Sequence, residues 1–293
     1  MKITNNHNLP EVFLKAASAM VRQQAPRPEV LYATDLVNPP LIKYLKFKHY
    51  DELEVDASEL LWALLGTAIH NLLEGHAPDN SLTEERLIFH TGVKLSDNEI
   101  LVVGRPDVYV NDEIHDYKVT SVYSFLLGEK EEWEKQLNVY AFLYGMAGFS
   151  VDKLRIFAIL RDWVKRKAET EEDYPPIPFV QKEVPLWNMA QQKEFILGEV
   201  IRWKEAFEAA EKGEFKECSD KEKWVQGGGF ALYQKNRKRA IRVFETLEQA
   251  NKIKLSQDQY ILERPKTFTR CLYYCPVRAV CPFVPQLEKE EGE

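Results

Sequence analysis

The hydrophobic period of this chain changes several times along its length, and that alternation narrows the folds open to it. Residues 58–74 (SELLWALLGTAIHNLLE) carry sustained apolar character of helical type. From Glu85 the period falls to two. Residues 86–90, 93–95, 100–104 and 108–110 alternate between Ser-Asp-Asn and Asn-Asp-Glu turns, which predicts a strand meander. Residues 114–119 extend it, residues 133–146 return to apolar recurrence at i, i+3 and i+4, and residues 153–160 are again strand-like. Strands, then a helix, then a strand predict an α/β core.

On either side of that core the pattern changes. Residues 1–28 end in Gln23-Gln-Ala-Pro-Arg-Pro28 and read as an N-terminal helix and linker. The core is expected over 29–205, with Thr34 or Asp35 capping a short helical segment. Residues 191–212 form a long amphipathic helix. Residues 206–293 make a distinct region with a triple glycine at 227–229, periodic segments at 231–235 and 238–252, and an acidic tail over 288–293. With 45% hydrophobic residues in 293, the chain can bury a substantial interior. No run of about 18 apolar residues and no signal-peptide layout appear, so the expectation is a cytoplasmic protein without membrane association. The net charge of −7 excludes a non-specific polyanion coat but leaves room for local basic surface.

Chemistry concentrates where the strands meet. Gly104-Arg-Pro-Asp107 is followed after eight residues by Asp116-Tyr-Lys118. Two carboxylates on adjacent strands can hold a cation that neutralises a phosphodiester and activates water. Because strand side chains alternate, Asp116 and Lys118 point to one face. Upstream, Gly66-x3-His70 lies on the apolar helix with Glu74 one turn later, and imidazole suits a transition-type cation such as manganese. Downstream, Gln136 and Tyr140 share a helix face at i, i+4. Each element alone has a bland account: a solvated strand, a half-buried histidine, a polar rim. Their order and spacing carry the signal.

In that order, G-x-x-x-H, G-x-x-D, D-x-K and Q-x-x-x-Y resemble the motif set of RecB-like nucleases of the PD-(D/E)xK superfamily, which implies a restriction-endonuclease-like core, a central mixed sheet flanked by helices, with a C-terminal Cys-rich extension. Further stretches resemble phage-encoded members: 34–40 (TDLVNPP), Arg161-Asp-Trp163, and the C-terminal cysteine segment. The resemblance spans residues 30–285. It implies a Mg2+- or Mn2+-dependent deoxyribonuclease, an exonuclease in phage-type recombination or DNA end processing, with a CRISPR-adaptation-like nuclease or an inactive nucleic-acid-binding module as alternatives. It further implies that His70, Asp107 and Asp116 ligate the metal, that Lys118 orients the attacking water, and that Gln136 and Tyr140 line the site. Glu74 and Glu85 stand at its margin. Asp116 departs from the more usual glutamate by one methylene. DNA is the implied partner, with a recombinase, single-strand-binding protein or helicase beside it; no Walker A pattern occurs in this chain.

Cys271-x3-Cys275-x5-Cys281 and the upstream Cys218 supply four thiolates, a set that suits structural zinc or a [4Fe-4S] cluster. The resemblance implies the cluster, although relatives place their remote cysteine ahead of the nuclease motifs, where Asn38-Pro-Pro40 stands here. Residues 233–242 form the densest basic run. Lys235, Arg237, Lys238 and Arg239 in it are candidate DNA contacts, as are Arg161 and Trp163; the plain alternative for the run is a solvated helix face.

Overall fold

The computed structural model describes residues 1–22, 24–126 and 131–292, the side chains of 291 and 292 excepted. Gln23 of the expected linker and Glu293 of the expected tail lie outside the described residues. The chain divides into two compact units, Met1–Phe215 and Lys216–Glu293. Each is a mixture of helices and sheets, and the fold class is α/β. Among the described residues, no helix is long and apolar enough to cross a membrane.

The first unit opens with β1 (Lys2–Thr4), α1 (Glu11–Met20), β2 (Val30–Tyr32), α2 (Pro40–Lys48), β3 (Glu54–Asp56) and α3 (Leu61–Glu74). It continues through β4 (Leu82–Thr83), β5 (Leu87–Leu95), β6 (Asn98–Gly104), β7 (Val108–Val110) and β8 (Glu113–Thr120). The helices α4 (Val122–Leu126) and α5 (Glu131–Met146), the strand β9 (Lys153–Leu160), α6 (Lys165–Thr170), β10 (Phe179–Val184) and α7 (Met189–Ala210) complete it. A five-stranded mixed sheet runs in the order β10-β9-β8-β7-β4, and a three-stranded one in the order β2-β6-β5. β8 and β9 pair in parallel with Asp116 opposite Ile156. Along β9 the residues Leu154, Ile156, Ala158 and Leu160 are buried while the intervening side chains reach solvent, as a sheet covered on one face requires.

Two local features place the site. The three residues Arg105-Pro106-Asp107 separate β6 from β7, which belong to different sheets. Proline has no N–H for the ladder, so pairing stops there and the chain passes from one sheet to the other with Asp107 at the turn. Gly104 just before it lets α5 approach: a Cβ there would collide with Leu143 Cδ1 and stand 3.0 Å from Tyr140 Cδ1. α5 buries a continuous run from Leu137 to Tyr144. Its buried Asn138 is satisfied by donating to the Glu134 and Pro185 carbonyls and accepting from Trp187 N–H, which fixes the helix against the segment leading into α7.

Several expectations need correction. The first 28 residues hold the expected helix, α1, but belong to the first unit rather than standing apart from it: β1 pairs in parallel with β3, and α1 buries Ala17. The Asp56 carboxylate that receives Asn6 N–H also caps the turn entering α3, with Glu59 completing a capping box. Thr34 and Asp35 cap no helix. α2 starts at Pro40, and Asp35 instead accepts from Tyr32 N–H and from the buried Lys43. The strands after Glu85 are split between two sheets rather than forming one meander. The boundary at 205 cuts α7, which runs on to Ala210, and Phe215 still packs on Tyr44.

The second unit carries β11 (Val225–Gly227), β12 (Phe230–Gln234), β13 (Arg242–Phe244), α8 (Leu247–Asn251), β14 (Gln259–Glu263), β15 (Lys266–Phe268) and α9 (Val284–Gly292). Residues 238–252 are thus a loop, a strand and a short helix. The expected acidic tail is helical through residue 292, with Leu287 buried against Phe268, Leu272 and Val284.

Candidate active site

Asp107 sits at the turn between sheets and receives the Tyr117 N–H at 2.6 Å from the neighbouring strand, so its carboxylate is fixed beside β8. His70, on α3, places Nδ1 3.3 Å from the other oxygen of Asp107. That carboxylate raises the His70 pKa, chiefly through this bond, against the opposing effect of burial. Among the described residues His70, Glu84 and Asp107 form a group whose ligand atoms all lie within 4.8 Å of one another.

Asp116 lies one strand further in and is only 2% exposed. Lys118 Nζ stands 2.5 Å from its Oδ2, yet no hydrogen bond satisfies that oxygen: the contact is a close ion pair without aligned geometry. Burial raises the Asp116 pKa, and the Asp107 charge adds to it, while Lys118 and His70 pull the other way. Tyr140 on α5 faces the same group. Burial and then the Asp116 charge raise its pKa, and Gln136 donates to its hydroxyl at 2.8 Å. His70, Asp107, Asp116 and Lys118 feel one another's charge, and Tyr140, with Gln136 on its hydroxyl, feels Asp116 and Asp107, so the expected residues from α3, β8, α5 and the turn before β7 form one polar cluster.

Glu84 is the residue the sequence did not single out. Glu74 and Glu85 are both exposed, whereas Glu84 adopts φ 52° and is half-buried. Its N–H pairs with the Asp107 carbonyl at 3.2 Å, and Arg105 Nε holds its carboxylate at 2.7 Å. A left-handed glutamate is uncommon, and such strain concentrates at functional sites. Burial raises the Glu84 pKa; Arg105 opposes this and the negative Asp107 reinforces it. The Glu84-Glu85 pair just before β5 was the available signal, but choosing between them depends on this one backbone angle.

The donor set suits a hard or borderline divalent cation: two carboxylates and an imidazole. Two ligands at about 2.1 Å from one cation and at right angles stand ~3.0 Å apart, close to the 3.3 Å between His70 and Asp107. Asp116 adjoins the group, its charge felt by His70 and its Oδ2 held by Lys118.

The other candidates separate. Arg161 lies with its guanidinium 4.3 Å over the Trp62 ring. Trp163 belongs to packing: its indole N–H donates to the Pro175 carbonyl at 2.7 Å, and its ring lies against Val122, Leu160 and Tyr174. Lys235, Arg237, Lys238 and Arg239 occupy the exposed loop between β12 and β13 rather than a helix face, next to the stacked rings of Tyr233 and Tyr260.

In the second unit Cys271 lies within a turn of π-helix that ends at Cys275, Cys281 follows a 3-10 turn, and Cys218 lies upstream. None is disulfide-bonded. Burial, then Glu222 and the other three thiols, push Cys218 up to about 12, and burial with Cys275 and Cys281 pushes Cys271 up to about 11. The four therefore feel one another's charge. Among the described residues they do not form a group with three sulfurs within 4.8 Å of one another.

No family model and no curated protein matches the chain. Among solved structures, one described as the crystal structure of SSO0001 is similar with a TM-score of 0.44 and 17% identity, over 66% of this chain and 84% of that one. That likeness is too slight to carry an assignment.

Proposed function

We propose that this chain is a divalent-metal-dependent DNA nuclease of the RecB-like, PD-(D/E)xK type, hydrolysing phosphodiester bonds at the polar cluster of His70, Glu84, Asp107, Asp116 and Lys118. The observation that carries the proposal is the convergence of His70, Glu84 and Asp107 beside a buried Asp116 paired with Lys118. Lys118 offsets part of the cost of burying Asp116 beside Asp107, and a bound cation would offset more of it.

His70, Glu84 and Asp107 would hold Mg2+ or Mn2+, with Asp116 adjoining. When bound, the cation would neutralise charge on the scissile phosphate and make a water nucleophilic near neutral pH. Tyr117 N–H keeps Asp107 turned toward the site, and Arg105 does the same for Glu84. Lys118, held on the Asp116 side of the strand, is placed to orient the attacking water and to oppose charge growing on the phosphate. Gln136 and Tyr140 form a polar wall that can hydrogen-bond phosphate oxygens. Tyr140 stays a neutral donor, because burial and Asp116 both raise its pKa.

For the cysteine unit, we infer a [4Fe-4S] cluster rather than zinc. Cys218 feels the charge of all three other thiols, a grouping that suits a polynuclear centre, and the resemblance to RecB-like nucleases favours the cluster over zinc. Its role would be to staple the unit, with no redox step implied.

The test is titration of the full chain with Mn2+, followed by electron paramagnetic resonance and by cleavage of linear DNA. Wild type should bind the ion and cut. Glu84→Gln and His70→Ala should weaken both, while Glu85→Gln should weaken neither. Full activity in a chelator, or Glu84→Gln indistinguishable from wild type, would overturn the assignment.

A further inference from the structure

The first unit exposes a tryptophan that its core does not need. Trp62 lies in the first turn of α3 and is 59% exposed, and no residue of that helix is fully buried. Leaving an indole in water costs hydrophobic free energy, so an exposed one beside charge is a candidate contact. Arg161 covers part of the ring from 4.3 Å.

The position of Arg161 is set by the fold. Its N–H donates at 3.0 Å to the carbonyl of Thr120, two residues beyond Lys118 on the same strand. The next residue, Asp162, accepts Val122 N–H at 2.7 Å, pinning the turn after β9 to the end of β8. Trp62 and His70 are eight residues apart on one helix, which is ~12 Å along its axis. The pair of rings and charges thus stands at the Lys118 end of the site, within a few nucleotides of the metal ligands. Immediately beyond, Lys165, Arg166 and Lys167 are all exposed on α6. Residues 161–167 hold four positive side chains and one negative, a net of +3 in a protein of net charge −7.

We propose that Trp62 and Arg161 form a stacking platform for an unpaired base of single-stranded DNA, with Lys165, Arg166 and Lys167 following its phosphates toward the His70, Glu84 and Asp107 centre. This rests on the nuclease proposal above and extends it to a substrate form. In a duplex the base faces are covered by their neighbours, so an indole face finds a partner only where the strand is unpaired. The basic stretch beside it supplies the matching, sequence-independent attraction to phosphate. An apolar protein partner would not call for that charge.

The experiment is fluorescence anisotropy of labelled single-stranded and duplex oligonucleotides with the full chain, in a chelator so that nothing is cut, alongside cleavage with Mg2+. Trp62→Ala should weaken single-strand binding about tenfold, within the range of one lost base–aromatic stack, and leave duplex binding unchanged; Trp62→Phe should retain most of the affinity. Joint substitution of Lys165, Arg166 and Lys167 by alanine should flatten the logarithmic salt dependence of single-strand binding by about 2. Trp62→Ala with unchanged or equally weakened binding to both forms, at an unchanged melting temperature, would overturn the platform. A wild type that binds single strands through Trp62 but never cuts them would overturn the nuclease and leave the platform standing. A wild type that binds no DNA and cuts none would overturn both.

Discussion

The two units solve the problem of holding reactive groups in different ways. In the first, long strands and α5 pack a deep interior in which Ile114, Leu137, Leu154 and Tyr144 are fully buried, and the site is a polar defect at its edge. In the second, strands of three to five residues surround small apolar clusters, one of which, Phe268, Leu272, Val284 and Leu287, has Cys271 and Cys281 packed against it. The second unit spans 216–293, or 78 residues. A core of under about 80 residues seldom supplies more than ~3–5 kcal/mol, so such a unit needs a staple. The first unit can carry the cost of a buried carboxylate because its core is large, whereas the second, under the cluster proposal, would depend on what its thiols bind.

The comparison breaks first at the cysteines. Cys275→Ser should cost the second unit most of its stability, on the order of 3–5 kcal/mol, and limited proteolysis should cut within 216–293 while 1–215 stays intact. Equal resistance in wild type and variant would mean that no staple operates there. Brown colour and bound iron in protein purified without oxygen should vanish in the same variant; colourless protein with stoichiometric zinc would replace the cluster by the other metal.

The next effect lies in the first unit. Gly104→Ala drives a Cβ into Leu143 and toward Tyr140, an overpacking that should cost about 1–3 kcal/mol and slow DNA cleavage by shifting Tyr140. A melting curve and a cleavage rate check both halves of that expectation. Asp116→Asn separates function from stability more cleanly. Asn at 116 relieves the repulsion from Asp107 but leaves Lys118 without its carboxylate, so the melting temperature should change little while cleavage is lost. A variant that unfolds would show Asp116 to be structural.

The smallest effect concerns the N-terminal strand. Asp56 has its pKa lowered by the Ser58 hydroxyl, then by the Asn6 and Ser58 N–H groups, with Thr4 adding to them. A folded-state pKa below the unfolded one gives stability that is present above the ordinary carboxylate range and is lost as pH falls through the folded value. Hydrogen exchange of β1 should therefore accelerate below about pH 4 in wild type, and Asp56→Asn should show the faster exchange already at neutral pH. A β1 that exchanges alike in both would remove Asp56 as its anchor.

How much of this was readable beforehand depends on whether a feature is local. The alternation in 153–160 marks β9 to the residue, and the apolar recurrence of 133–146 marks α5 within two residues of its start. Asp116 and Lys118 share a face because strand geometry makes them do so. Glu84 was hidden, because its approach to Asp107 requires a positive φ that no spacing encodes. The passage of β6 into β7 across two sheets was hidden too, although Pro106 marks the break. The basic run near 235–239 looked helical by composition, but the pairing of β12 with β13 makes it a loop. Trp62 was read as one more apolar position on a helix, since exposure is a tertiary property.

The central claim is that the polar cluster around Asp107, Asp116 and Lys118 hydrolyses DNA. Its most direct test is single-turnover cleavage of end-labelled linear DNA, single- and double-stranded, with Mg2+ or Mn2+, comparing wild type with Asp116→Asn and Lys118→Ala. Metal-dependent cleavage by wild type that falls by on the order of 10²–10³ or more in both folded variants is the predicted result; a well-folded wild type that cuts neither substrate with either metal would contradict it.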